Sequence, residues 1–418
     1  MPSDSIVIES DGSINPSTAP IIRSGNVYTF TDDIAGQQIW VQRSDVTLDG
    51  MGHQLKNNTY NFDSGITLNS TKNVTVKNFQ ISGFYFGVKV QLQLWDSTVG
   101  LYEPQPKPDL NWIPKNNNIV NCAITCCKGA GVRVYDSSST LISKNIITDS
   151  TVGVELSLNW GEAVSANQVT NNTLQNNGEG ILLQSCGANT ISGNIVTENR
   201  ITGIDLSWSS SNSVSGNIIT KNGVGVLVMG AAGSGAGYTS NNVISNNLIA
   251  QNIRWGLRLN ATQINNQIFG NSIIDNNPGT QGLQVSIPMC MIVENIKGKV
   301  TINMVSGMGN VWNSGGSGNY WSDFKDRYHN ATEVDTTGVW NIPFYINENN
   351  IDHYPLVEPL SNSALPIQQQ TTTPQQITNP ITPNALSTSN IILVTIAVVL
   401  TAVIMGSLLY FKRLHRKK

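Results

Sequence analysis

The chain has 418 residues, of which 12% are charged and 39% hydrophobic, with 37 glycines and a formal net charge of −3. All 27 acidic residues precede Pro359 and five of the 24 basic ones follow Phe411, so the long part before Pro359 is acidic. That balance excludes a nucleic-acid binder, which needs a basic footprint, and the glycine content points to many tight corners.

Residues 1–64 predict short strands at Ile6–Glu9, Val27–Phe30, Gln38–Gln42 and Val46–Asp49, separated by Gly and Asp turns. They read as a cap over the end of a strand-rich body, since a strand end left open is a template for aggregation. The opening MPSDSIVIES has neither the basic start nor the apolar run of a secretory signal.

Residues 65–310 are repetitive. Short apolar segments open on Gly65, Gly87, Gly131, Gly153, Gly180, Gly203, Gly225, Gly256 and Gly282. Five successive units also carry Asn at steps of five: Asn167/Asn172/Asn177, Asn189/Asn194/Asn199, Asn212/Asn217/Asn222, Asn242/Asn247/Asn252 and Asn266/Asn271/Asn276. The apolar segments between them are too short for helical turns. Asn and Gly both tolerate left-handed corners. The spacing predicts a parallel β-helix with rungs about 4.8 Å apart, roughly 11–12 of them over residues 1–310. Its Asn side chains stack as ladders, and Gly153, Gly180, Gly203 and Gly225 share one column.

Two insertions interrupt the repeat. Trp95–Lys115 holds four prolines and three large aromatics, and Gly230–Ser240 is Gly-rich. Both are expected to stand off the coil as loops. The 44-residue step from Gly87 to Gly131 is expected to hold an extra rung at Asn116–Ala130.

On each Gly strand the residue two after Gly should point outward. That column reads Thr67, Lys89, Arg133, Glu155, Leu182, Asp205, Leu227, Arg258 and Gln284. Arg133 and Glu155 are expected to be neighbours. Glu155 and Asp205 would lie two rungs apart, about 9.6 Å, near the upper end of inverting-glycosidase geometry. Tyr135, Trp160 and Trp208 flank the column at strand ends. Aromatic rings with Arg and carboxylates beside them suit a pyranose, so Arg133, Tyr135, Glu155, Trp160, Asp205 and Trp208 are the candidate sugar-binding residues. No catalytic residue is assigned, although a glycosidase- or lyase-type enzyme is the alternative.

No cofactor or metal site is expected. Cys122, Cys126, Cys127, Cys186 and Cys290 have no paired spacing, and Cys122 and Cys126 read as core. Met289, Cys290 and Met291, with Met304 and Met308 about one rung later, have the softness Cu(I) favours, but alternation splits them between faces. His53, His329, His353 and His415 are scattered.

Residues 311–358 close the coil with SGGSGNYWSDF at Ser314–Phe324 and IDHYPL at Ile351–Leu356. These motifs, the Gly/Asn rungs and the opening IESDGSINPSTAPIIRSGNVYTFT at Ile8–Thr31 resemble the NosD-like right-handed β-helix proteins, in particular their archaeal surface members. The resemblance covers roughly residues 6–358 and implies a right-handed coil and a link to copper. Relatives often carry a calcium-like acidic loop before the YPL motif. Here only Asp326, Glu333 and Asp335 stand in that stretch, without calcium-loop spacing.

Residues 359–390 are rich in Pro, Thr, Gln and Ser and lack charge, which predicts an extended stalk. Residues 391–411 carry no charge over a length that spans a bilayer, and the basic tail 412–418 predicts a cytoplasmic C-terminus. The expected protein is all-β, a right-handed parallel β-helix tethered to the plasma membrane by one helix, with its coil outside. Its expected partners are polysaccharide or glycan and the lipid bilayer. A cytoplasmic, tail-anchored coil and a copper accessory protein are the alternatives. Sequons at Asn57, Asn69, Asn73, Asn171, Asn260 and Asn330 would be used outside the cell.

Overall fold

The computed structural model describes residues 5–57, 62–92, 111, 113–157, 166–230, 239–259, 265–278, 284–287, 290–296, 299–305 and 309–361. The segment expected as a stalk, beyond Ser361, the apolar stretch 391–411 and most of both insertions lie outside them. Among the described residues no helix is long and apolar enough to cross a membrane.

The described chain is an all-β, right-handed parallel solenoid of about nine turns. Three sheets run along it. One has 12 strands and the other two have 11 each. The first is built from the longer strands that contain the repeating Gly, such as Val152–Ser157, Glu179–Gln184 and Thr202–Ser207. The second and third use three-residue strands such as Thr190–Ser192 and Ile195–Thr197. Each strand pairs in parallel with its copy one turn on, as in Ile181↔Ile204 and Val196↔Ile219. Val154, Ile181, Ile204 and Val226 stack inward, fully buried, as do Val169, Ile191 and Val214. Complete burial of such side chains contributes about 1.5–3 kcal/mol each before entropy is counted.

The Asn ladders hold the corners. The backbone N–H of Asn172 donates to Asn194 Oδ1 (2.9 Å), and its Nδ2 donates to the same oxygen (3.0 Å) and to Ile142 O (2.9 Å). Asn194 repeats this toward Asn217, and Asn217 toward Asn247. The ladder asparagines are buried and are not themselves the left-handed residues. That conformation belongs to the residue just before each, as at Asn171, Glu198, Ser211 and Lys221. The left-handed residue turns the chain, and the Asn after it points inward to bond the turns above and below. The glycine column also forms, for a different reason than the one expected. A Cβ on Gly180 would lie 2.5 Å from Gly203 O, and one on Gly203 would lie 2.7 Å from Gly225 O. Lack of space, not a left-handed φ, selects Gly there.

Several expectations on register need correction. Lys89 pairs directly with Arg133, so no rung intervenes. Asn118–Val120 and Ala123–Thr125 are the other two sides of that same turn, and the 44-residue step is one turn plus the insertion. Cys290–Ile296 and Lys299–Val305 form an antiparallel hairpin, not a rung. Neither segment adds a turn to the coil. Arg258 pairs with Ser286, and Gln284 is buried, where its Oε1 accepts from Asn276 and ends one ladder. Cys122 is buried, whereas Cys126 is exposed at a left-handed corner.

Beyond the last rung, Tyr320–Trp321 adds a strand to the third sheet, and a short helix, Phe324–Arg327, and a hairpin, Phe344–Asn347 with Asn350–Asp352, cover the end. Trp321 stacks on Phe344 at 4.1 Å and Phe324 on Trp340 at 5.3 Å.

Candidate functional site

The charged groups of the repeating strands concentrate on one side. The strands of the second and third sheets from Asn118 to Ile274 contain no Asp, Glu, Lys or Arg. Over the same turns the long-strand sheet carries Arg133, Glu155, Glu179, Asp205 and Arg258. That sheet is the candidate site.

Its central column runs Lys89, Arg133, Glu155, Leu182, Asp205, Leu227 and Arg258 in register. Arg133 Nε lies 3.2 Å from Glu155 Oε1, as the adjacency predicted, and both are largely buried. The guanidinium also sits over Phe86 (4.9 Å) and Tyr135 (5.0 Å), which fixes its plane. Ser157 donates to Glu155 Oε1 at 3.0 Å. Two turns on, Ser207 donates to Asp205 Oδ1 at 2.6 Å. Each carboxylate is thus served by the hydroxyl two residues later on the same face. Asp205 points outward as expected but is only 6% exposed, because Leu182 and Leu227 flank it in the column.

Glu179 is the residue that outward alternation misses. It precedes the repeating Gly and sits in the neighbouring column, beside Val152 and Thr202. Its strand crosses between those of Glu155 and Asp205. One carboxylate oxygen, Oε2, is buried without a hydrogen-bond partner. Burial, and then the charges of Asp205 and Glu155, push the Glu179 carboxyl up to about 7. Burial pushes Asp205 up to about 6, against the lowering effect of Ser207. The face therefore carries an ion pair, Arg133–Glu155, beside two carboxyls that give up their protons only around pH 6 and 7, well above the usual carboxylate range.

The expected sugar-binding residues divide into groups. Arg133, Tyr135 and Glu155 are contiguous. Asp205 lies two turns away, and Trp208 stands at the corner of Asp205's turn with its backbone N–H donating to Met229 O. Trp208 is 40% exposed. Trp160 lies outside the described residues. Glu179 bridges the two groups and could have been found from sequence by noting that Glu179, unlike its column partners Ala130, Val152 and Thr202, is charged.

Metal ligands do not assemble. Among the described residues no group of three or more His, Cys, Asp and Glu could hold an ion. His53 faces Asp33 (3.5 Å), and Glu333 accepts from the Gly338 N–H. Met291 and Met304 are partners across the hairpin, not members of successive rungs.

With this geometry established, the family comparisons agree with the fold. Residues 160–281 match the family described as periplasmic copper-binding protein (NosD), and residues 13–159 match the right handed beta helix region. The chain thus carries NosD-like and right-handed β-helix repeats across residues 13–281. No curated protein matches the chain. Among solved structures it is similar to the periplasmic alginate epimerase AlgG (15% identity, 61% of this chain and 65% of that chain, TM-score 0.46). It is also similar to the mannuronan C-5 epimerase AlgE6 A-module of Azotobacter vinelandii (14%, 70% and 75%, 0.46) and to an alginate lyase from Paenibacillus sp. str. FPU-7 (10%, 62% and 99%, 0.42). The chain spans under two thirds of the length of the first of these.

Proposed function

We propose that the protein is a cell-surface glycan binder whose long-strand sheet holds an extended, hydroxyl-rich chain. The observation that carries this reading is the juxtaposition of the Arg133–Glu155 ion pair with Glu179 and Asp205, whose carboxyls are pushed up to about 7 and 6. Near neutral pH such a face offers acid O–H donors, carboxylate acceptors and guanidinium N–H groups together, which matches sugar hydroxyls. Tyr135 and Trp208 add ring faces for the apolar side of a pyranose. The anionic centre favours a neutral polymer over a polyuronate. Binding of the full chain to a panel of neutral and acidic polysaccharides tests this. Arg133→Ala should weaken a neutral ligand, and equal affinity of wild type and variant for every glycan would overturn the reading.

We also propose that residues 391–411 tether the coil to the plasma membrane with the coil outside, motivated by the uncharged stretch and the basic tail 412–418. Protease applied to intact cells should cut the coil. Survival of the coil while a surface marker is digested would place it inside.

One observation favours a second reading, a carbohydrate-active enzyme. Burial pushes the Glu179 carboxyl up to about 7, while Glu155 one turn away lies 3.2 Å from Arg133, and glycoside cleavage uses such a pair of carboxyls in unlike surroundings. In that case Glu179→Gln abolishes polysaccharide cleavage and leaves binding intact. Absence of product from every bound glycan would remove this reading.

A further inference from the structure

The far end of the long-strand sheet carries a cation with no acid to meet it. Arg258 stands in the outward column on Trp255–Leu259, five turns beyond Arg133 and two beyond Asp205. Those steps are about 24 Å and 9.6 Å along the axis. Its guanidinium carbon lies 4.8 Å from the centre of the Trp255 ring, and its Nε is buried without a hydrogen-bond partner. Among the described residues Arg258 forms no ion pair, and neither does Arg254, which is exposed just before the same strand. The strands on either side, Val224–Met229 and Val285–Ser286, contain no acidic residue. Along the axis, Asp205 already accepts from Ser207 (2.6 Å), and Asp323 of the cap accepts from Gln284 (2.7 Å) and pairs with Arg327 (2.6 Å).

The same sheet shows what a guanidinium so placed takes. Arg133 is also backed by rings, Phe86 and Tyr135, and the residue paired with it on the following turn is Glu155, whose carboxylate lies 3.2 Å from its Nε. For Arg258 the residue paired on the following turn is Ser286. Ser286 supplies a hydroxyl and no carboxylate, so the position that Glu155 fills beside Arg133 is left to an outside group. A buried N–H without a partner costs stability, which argues that Arg258 is not there to hold the coil together.

We propose that Arg258, backed by Trp255 and beside Ser286, binds the carboxylate of an isolated acidic sugar in an otherwise neutral glycan. The proposal rests on the glycan reading above and narrows it. A polyuronate would set its charges against Glu155, Glu179 and Asp205. A wholly neutral chain would leave Arg258 unmatched. A chain with isolated uronates satisfies both ends of the face. Its neutral residues lie along the carboxyl-bearing turns, and one carboxylate reaches the guanidinium two turns past Asp205. The planar fork of Arg donates two parallel N–H bonds to a carboxylate, and the indole fixes its plane. Arg254 adds a second positive charge at this end.

Two measurements on the full chain in non-ionic detergent test the proposal. The first is calorimetric affinity for oligosaccharides of gellan, a linear chain with isolated glucuronates among neutral sugars, before and after chemical reduction of their carboxyls. Wild type should bind the acidic form roughly tenfold or more tightly than the reduced one. Arg258→Gln should bring the acidic form down to the affinity of the reduced form. Arg258→Lys should keep only part of the preference, because an ammonium lacks the fork. The melting temperatures of both variants should stay close to wild type. The second measurement titrates sodium glucuronate into protein labelled with fluorotryptophan, reading the fluorine resonance of Trp255 as assigned through Trp255→Phe. That resonance should shift in wild type, stay still in Arg258→Gln, and ignore methyl glucoside.

Equal affinity for gellan before and after reduction, or a preference that survives Arg258→Gln, overturns the proposal and leaves the glycan reading standing. A glucuronate response that depends on Arg258, without binding of either oligosaccharide, upholds Arg258 as the carboxylate site and removes the extended chain. Absence of both binding and response overturns the two together.

Discussion

The indole N–H of Trp321 donates to the carboxylate of Asp352 at 2.9 Å, and both residues are buried. The same oxygen of Asp352 accepts from the backbone N–H of Asn319 (2.7 Å), and Asn319 Oδ1 in turn accepts from Asn271 (2.9 Å). Trp321 and Asn319 belong to GNYWSDF and Asp352 to IDHYPL. The two motifs that suggest the family are therefore the terminus of an Asn ladder, and their chemistry is structural. One carboxylate ends the column where no further Asn is available.

Replacing Asp352 by Ala strips the acceptor from Asn319 and Trp321 and leaves buried donors unpaired. A loss of about 3–5 kcal/mol is expected. Asp352→Asn keeps one carbonyl acceptor and should cost about 1–2 kcal/mol. Urea denaturation of the two variants gives the order. Equal losses would show that the charge, not the acceptor, closes the ladder.

Gly203→Ala should destabilise the coil by about 1–3 kcal/mol through overpacking, because the new methyl would lie 2.7 Å from Gly225 O and 2.9 Å from Asn222 Nδ2. Gly216 is the contrast. Its φ is +64° with open space around it, and its corner column holds Asn171 and Asn246. Gly216→Asn should change stability by only a few tenths of a kcal/mol. Comparable losses at both positions would contradict the separation of close-approach from corner glycines.

The coil was legible because its period is written twice, in Gly and in Asn, and both spacings survive insertions. The Arg133–Glu155 pair was legible because parallel register makes adjacent turns adjacent residues. Glu179 was not, since alternation from Gly assigns no outward place to the residue before it. Gln284 departs from the outward column because its strand enters the sheet two residues later than the pattern implies, with Arg258 opposite Ser286. The hairpin at 290–305 was hidden because its alternating apolar residues imitate a rung.

The acid pair makes stability depend on pH in an unusual direction. Glu179 rises from 4.5 to about 7 and Asp205 from 3.8 to about 6, so the folded state binds more protons than the unfolded state between these values. Their stabilising contribution is complete below pH 4 and is lost as pH rises through about 6 and 7. Glu179→Gln removes the penalty and should raise stability at pH 8 by about 1–3 kcal/mol while changing little at pH 4.5. Melting curves across that range check it. A variant less stable than wild type at pH 8 would mean that ionised Glu179 is held by a favourable partner.

Trp208 occupies a left-handed corner with φ of 50°, where the same position holds Ser185 one turn earlier and Asp136 three turns earlier. A left-handed conformation costs an L-residue roughly 1–2 kcal/mol. Its ring is 40% exposed, so what packing it gains is partial. The two effects oppose each other. Trp208→Gly relieves the backbone and removes the ring, and the net change in stability should stay within about 1 kcal/mol. If the ring stacks on sugar, polysaccharide affinity should fall by about 1–3 kcal/mol in the same variant. If the ring is instead packed beneath the Trp95–Lys115 insertion, stability should fall by about 3–5 kcal/mol. Calorimetry for binding and urea unfolding for stability separate the two. A large loss of stability with unchanged affinity would remove Trp208 from the binding face.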